Sequence, residues 1–249
     1  MNRIEYNKFY EMVGNRNVWD FSSLQVTHEG IEWNFYEEVM KKSRKTDVLL
    51  DIGAGGGESL LPIVSSLLFT VGIDISSSMV ETAKNNVAEA NLANVRFFQM
   101  SSNDIQFPDD FFDVISCRHA PFNSSEIARV LRDGGIFLTQ QVSEADKLNI
   151  KEAFGRGQSY GETDGTLKEK YIRELKEVGF SKVQSFEYNA ASYYHRTEDL
   201  IFLLKHTPII PGFGQSQRDF DMVHHFIEDN RTEKGIFTNT KRFILIAEM

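Results

Sequence analysis

The chain has 249 residues, 41% hydrophobic and 25% charged, which is the composition of a globular protein with ample length for a core. Its net charge of −9 argues against a large nucleic-acid partner, whose binders carry a basic footprint, and Lys41, Lys42, Arg44 and Lys45 read as a solvated helix end. The single cysteine, Cys117, excludes a disulfide framework and a cysteine zinc cluster. No stretch has the apolar core of a signal peptide or the length of a membrane span, so the expectation is a cytoplasmic protein with no membrane partner.

Residues 1 to about 45 look mainly helical, with Trp19 to Ser22 as an irregular break before a helix holding Ile31, Phe35 and Val39. Next, Val48-Leu49-Leu50-Asp51-Ile52 is an apolar run carrying one acid, followed at once by Gly53-Ala54-Gly55-Gly56-Gly57. Glu58 to Leu68 reads as a helix, which gives a strand, a glycine turn and a helix with a ligand expected where the strand ends. Pyrophosphate turns show G-x-G-x-x-G; here the spacing is G-x-G-x-G and position 58 is glutamate. Asp51 before the first glycine would repel a phosphate and welcome a cation, so the turn favours a nucleoside that carries positive charge.

Phe69 to Asp74 is a second short strand, its acid 23 positions after Asp51, about one βαβ step. A carboxylate there can accept hydrogen bonds from both hydroxyls of a ribose. Ser78 and Glu81 have capping-box spacing for the helix that follows. Val95 to Gln99 reads as a third strand, and Phe107 to Ser116 as a loop entering a buried fourth. Asn123 and Glu126 can cap the next helix, and Gly134-Gly135 can stop it. Leu167, Tyr171, Ile172, Leu175 and Val178 share one helical face, Gly179 ends it, and Lys182 to Tyr188 is the sixth strand. An insertion of roughly fifty residues holds a helix over Thr197 to His206 and a second one bearing Phe220, Val223, Phe226 and Ile227, before a last strand from Lys241 to Glu248.

Asp51, Gly53, Gly55 and Gly57 match the [DE]-x-G-x-G-x-G motif of the class I S-adenosylmethionine-dependent methyltransferases, which the chain resembles. Asp74-Ile75-Ser76-Ser77-Ser78-Met79 is similar to that family's D-x-S-x-x-M, and Ile105 to Asp109 to its L-P-F-x-D, with Gln106 in place of proline. Glu126 to Leu138 resembles the E-x-x-R-V-L-x-x-G-G segment before the fifth strand. Ser101 stands where the family commonly has aspartate, which passes the adenine contacts to Ser102 and Asn103, with Asp104 one turn later. Gly55 to Glu58, Thr139 to Val142, Phe202 to Pro208, Ile210 to Phe213 and Lys241 to Phe243 extend the likeness to an uncharacterised bacterial subgroup of the type 11 methyltransferase domain family.

The resemblance implies a Rossmann-like, doubly wound seven-stranded sheet with an antiparallel last strand. To it are added N-terminal helices (1–45, a cap) and a helical substrate-cap insertion (190–238), around a core at 46–189 completed by the strand at 239–249. It implies S-adenosyl-L-methionine as cofactor, contacted by Asp51, Gly53, Ala54, Gly55, Gly57, Asp74, Ile75, Met79, Ser102, Asn103 and Arg118, and a small-molecule methyl acceptor. Arg118-His119-Ala120-Pro121-Phe122 lacks the Asn/Asp-Pro-Pro-aromatic sequence of enzymes that methylate adenine or glutamine amino groups. His119 is the candidate base, should the acceptor need to lose a proton. Arg118 could orient an anionic acceptor or pair with Asp104 or Asp113, and His195 is a second candidate base. Histidines 28, 206, 224 and 225 show no metal-ligand spacing, so no metal is expected. The alternatives are an RNA base methyltransferase, a nicotinamide-dependent oxidoreductase, since Asp74 suits a ribose in either cofactor, and a non-catalytic S-adenosylmethionine-binding module.

Overall fold

In the computed structural model, residues 24–249 are described. Five parallel strands form the frame: β2 (Val48–Ile52), β3 (Phe69–Asp74), β4 (Val95–Gln99), β5 (Phe112–Arg118) and β6 (Leu131–Val142). They lie in the order β4-β3-β2-β5-β6, so the chain reverses its winding direction at β2. Beyond β6 come β9 (Gly235–Glu248), β7 (Lys182–Tyr194) and, at the edge, β1 (Val26–Glu29), with β9 antiparallel to both β6 and β7. A two-residue strand, β8 (Arg231–Thr232), closes a turn onto β9.

Strand alternation delivers apolar side chains to both faces. Leu50 and Ile52 enter a core with Ile115, Phe137 and Leu245, covered by α3 (Ser124–Val130) and α5 (Thr166–Glu177). Leu49, Val114 and Leu138 point the other way, under α1 (Phe35–Lys42), a 3₁₀ turn over Leu61–Ser66, and α2 (Ser77–Glu89). A third cluster unites α4 (Leu148–Phe154), α6 (Thr197–His206) and α7 (Gln217–Asp229) around Leu200, Leu204, Val223 and Ile236. Among the described residues, no helix is long and apolar enough to cross a membrane.

The doubly wound sheet and its antiparallel last strand agree with expectation, but several elements differ. Among the described residues the sheet has nine strands, not seven, because β1 and β8 join it. The expected N-terminal helix with Ile31 is shorter. Ile31 is exposed, Asn34 caps α1 by accepting from the N–H groups of Tyr36 and Glu37, and residues before it form an edge strand. Residues 1–23, with the Trp19 to Ser22 break, lie outside the described residues. The helix expected over Glu58 to Leu68 is only a 3₁₀ turn, since Pro62 lacks an N–H and Ile63 and Val64 are β-branched. Ser76, not Ser78, caps α2. Helix α3 ends at Val130, before the glycines, and Gly134-Gly135 serve a register shift between β5 and β6.

The insertion is less helical than its expected 190–238 boundaries suggest. Strands β7 and β9 continue as a paired ribbon from Lys182↔Glu248 to Tyr194↔Ile236, past the ends of the parallel strands. Helices α6 and α7 hang from the end of that ribbon. Helix α4, inside the expected 46–189 core by sequence, packs with them.

Candidate active site

The carboxyl ends of the parallel strands bring most of the expected cofactor residues to one edge. The Gly53 and Ala54 N–H groups both donate to the Ile73 carbonyl, at 2.9 and 3.1 Å, which ties the glycine turn to β3. At Gly53 (φ +71°) a Cβ would lie 2.3 Å from the Ala120 methyl, and at Gly57 (φ +81°) it would lie 2.8 Å from the Phe97 ring. Both positions therefore need glycine for conformation and for space. The Gly55 N–H donates to Asp74 Oδ2 at 3.0 Å and the Ser76 N–H to Oδ1 at 2.9 Å, so Asp74 joins the turn to the start of α2. Met79 is buried in the first turn of α2, with Ile75 exposed at the rim. Ser102 donates to the Pro121 carbonyl at 3.0 Å, linking the loops after β4 and β5, and Asn103 folds back onto Ser101 Oγ.

Asp51 points to the α1 face of the sheet and is 1% exposed. Tyr36 Oη donates to its Oδ2 at 3.0 Å and Ser116 Oγ to its Oδ1 at 2.5 Å. Burial outweighs these hydrogen bonds and the nearby Arg118 charge, and lifts the carboxyl to about 7. The Tyr36 hydroxyl is itself held well above its ordinary value, by burial and then by the Asp51 charge. A cation placed beside Asp51 would restore its ionised form.

Arg118 ends β5. Its Nη1 donates to Ser59 Oγ at 3.2 Å, while its Nε is buried without a partner. Among the described residues it forms no ion pair with Asp104 or Asp113; Asp113 instead pairs with Arg132 at 2.7 Å and accepts the Val48 N–H. A buried N–H with no acceptor is costly, and an anionic ligand group would satisfy it.

His119 adopts a left-handed backbone (φ +57°) directly after β5, and its N–H donates to the Gln140 carbonyl. Its ring meets the Gln140 side chain, Nε2 to Nε2, at 3.0 Å, and Trp33 Nε1 donates to Gln140 Oε1 at 2.8 Å. Burial, then the charges of Arg242 and Arg118, hold the imidazole well below its usual range, so it is neutral. Trp33 also packs on Tyr188, ring centroids 4.5 Å apart. His195 lies elsewhere, bonded at the surface to Thr27 Oγ1.

Tyr36, Ser116, Trp33 and Gln140 carried no functional signal by spacing, because they act across the fold: Tyr36 and Ser116 lie 15 and 65 positions from Asp51. The pair Gln140-Gln141 at the end of a buried strand was the available clue. Glu126 likewise does not box the α3 cap. It accepts the Ile105 N–H at 2.7 Å and pairs with Arg129 at 2.8 Å.

Residues 49–135 match the family described as methyltransferase domain. An uncharacterized methyltransferase of Bacillus subtilis, YcgJ, is 40% identical over 97 residues, which span 36% of this chain and 38% of YcgJ. Its crystal structure superposes with a TM-score of 0.62 at 20% identity, covering 86% of this chain and 97% of that one. The ubiquinone/menaquinone biosynthesis C-methyltransferase UbiE of Campylobacter jejuni is 27% identical over 64% of this chain and 82% of its own length. The [4+2]-cyclase SpnF shares the fold with a TM-score of 0.63 at 17% identity, covering 97% of this chain and 94% of that one. The sequence match to YcgJ thus spans well under two thirds of that relative, and the structural likenesses establish the fold.

Proposed function

We propose that this chain, whose residues 49–135 match the methyltransferase domain family, is a class I S-adenosylmethionine-dependent enzyme that transfers a methyl group from that cofactor to a small-molecule acceptor. The observation that carries the reading is the cradle at the carboxyl edge, where Gly53 and Gly57 leave room that a Cβ would fill and Arg118 Nε lies buried without an acceptor. These residues fit S-adenosylmethionine. Asp74 would take the ribose hydroxyls, and Ile75, Met79, Ser102 and Asn103 would enclose the adenine. Asp51, with Gly53, Ala54, Gly55 and Gly57, would face the methionine ammonium, and Arg118 its carboxylate. Bound there, the cofactor supplies an electrophilic methyl group with a neutral thioether as leaving group.

The protein's own contribution is then chiefly alignment and exclusion of water. The acceptor would enter between the carboxyl edge and the projecting β7–β9 ribbon, under the cap built by α4, α6 and α7. Trp33, linked to His119 through Gln140, and Tyr188 packed on it suit a planar acceptor, a reading also supported by the likeness to UbiE. The net charge of −9 weighs against an RNA substrate, and the acid at Asp51 against the phosphates of a nicotinamide dinucleotide.

Calorimetric titration with S-adenosylhomocysteine, with NAD in parallel, tests the reading. Binding of the homocysteine compound that is lost in Asp74→Ala is the expected result. Binding of NAD alone would overturn the methyltransferase assignment in favour of an oxidoreductase.

A further inference from the structure

We propose that Trp33 and Gln140 are positioning residues that hold His119 as its Nδ1–H tautomer, so that the ring offers the acceptor a hydrogen-bond donor and not a base. The indole N–H of Trp33 can only donate. Trp33 Nε1 lies 2.8 Å from the Gln140 side-chain oxygen, which fixes the amide with its NH₂ group toward His119. The contact to His119 Nε2, at 3.0 Å, is then a hydrogen bond donated by Gln140, and Nε2 must be the unprotonated nitrogen. The one ring proton sits on Nδ1. That atom makes no hydrogen bond among the described residues and is not among the fully buried unpaired atoms, so it is the ring nitrogen left for a ligand to meet.

Further constraints keep the ring in place. The left-handed backbone at His119 and its N–H···O bond to the Gln140 carbonyl set the residue against the same glutamine by main chain and side chain. Gln140 is 5% exposed, so its amide cannot turn outward to exchange partners with water. Resting on the proposed methyltransferase reading, the consequence concerns the acceptor. It should present a hydrogen-bond-accepting oxygen, such as a carbonyl, phenolate or carboxylate, to His119 Nδ1–H. It should also arrive able to attack without losing a proton to this histidine.

The test is the tautomer itself, read by two-bond ¹H–¹⁵N correlation spectra of the full chain labelled at its six histidines, near neutral pH and without ligand. The His119 signals are assigned by their loss in His119→Gln. The expected spectrum has a protonated Nδ1 and a lone-pair-bearing Nε2. Gln140→Glu can only accept, so it should move the proton to Nε2, and Trp33→Phe frees the amide to turn and should give a mixture of tautomers. A wild-type ring protonated on Nε2 overturns the proposal, and so does a folded Trp33→Phe protein whose His119 remains purely Nδ1–H. Because no cofactor enters the experiment, failure of S-adenosylhomocysteine to bind would refute the proposed function while leaving this outcome independent.

Discussion

Replacing Asp51 with asparagine should improve stability relative to the wild type progressively as pH rises toward the folded carboxyl value of about 7, and the gain should level off above it. The carboxyl stands at about 7 in the folded protein, against 3.8 for an ordinary aspartate, because it is buried between Tyr36 and Ser116. A carboxyl raised on folding supports the fold fully below the unfolded value, and that support drains away as pH rises through the folded value. Each unit is worth about 1.36 kcal/mol, so between pH 5 and pH 8 the wild type should lose ~3 kcal/mol that Asp51→Asn does not. The hydrogen bond that asparagine sacrifices, one of its two partners being a donor facing its NH₂, is a constant offset and cancels from this difference. For a chain of this size the gap in Tm between variant and wild type should widen by about 6–12 °C over that range. Thermal melts of both proteins from pH 5 to pH 8 provide the assay. A gap that stays constant with pH would refute a carboxyl that titrates near neutrality.

The same acid predicts a proton signature on ligand binding. An ammonium beside Asp51 lowers its value from about 7, so S-adenosylmethionine binding near neutral pH should release a fraction of a proton, and calorimetry should give buffer-dependent enthalpies. Enthalpies that do not vary with the buffer would contradict it. Gly57→Val places a branched side chain at positive φ and against Phe97, so it should cost roughly 1–3 kcal/mol and weaken S-adenosylhomocysteine binding at least tenfold. Adding Phe97→Ala should return part of the affinity; no recovery would deny the ring its role in the clash. Arg129→Met removes hydrogen bonds to the Ile105 and Phe107 carbonyls and to Glu126, and urea melts should show a loss of roughly 1–3 kcal/mol. A loss below ~0.5 kcal/mol would mean that water replaces the guanidinium at those carbonyls.

Much of the core was legible because its signals are local. A glycine turn directly after an apolar strand, and an acid at the end of the next strand, each declare their geometry within ten residues. Thr197–His206 and the helix around Val223 showed their apolar faces in the same way. The ribbon from Asn189 to Tyr194 was harder to read, because its inward positions include Ser192, fully buried in a chain of hydroxyls and amines with Thr240 and Lys147. Burial lowers the Lys147 ammonium to about 8. Polar residues at core positions mask the two-residue period that reveals a strand. Similarly, Asp51 looked like a bare binding acid, since nothing in sequence spacing ties it to Tyr36. The tautomer of His119 depends on three residues contributed by three separate stretches of chain.

The pairing of Tyr194 with Ile236 has a consequence for how such a protein can change over time. Everything from Thr197 to the turn at Thr232 leaves and returns through two neighbouring backbone positions on a continuous ladder. Closing an excursion of this kind costs entropy that grows only with the logarithm of its length, about 0.6 kcal/mol per doubling. Lineages could therefore exchange, shorten or enlarge these two helices as a cassette while the ladder below keeps its register. The ladder also anchors the cassette on both flanks, so new contents inherit a fixed orientation relative to the sheet without having to evolve one.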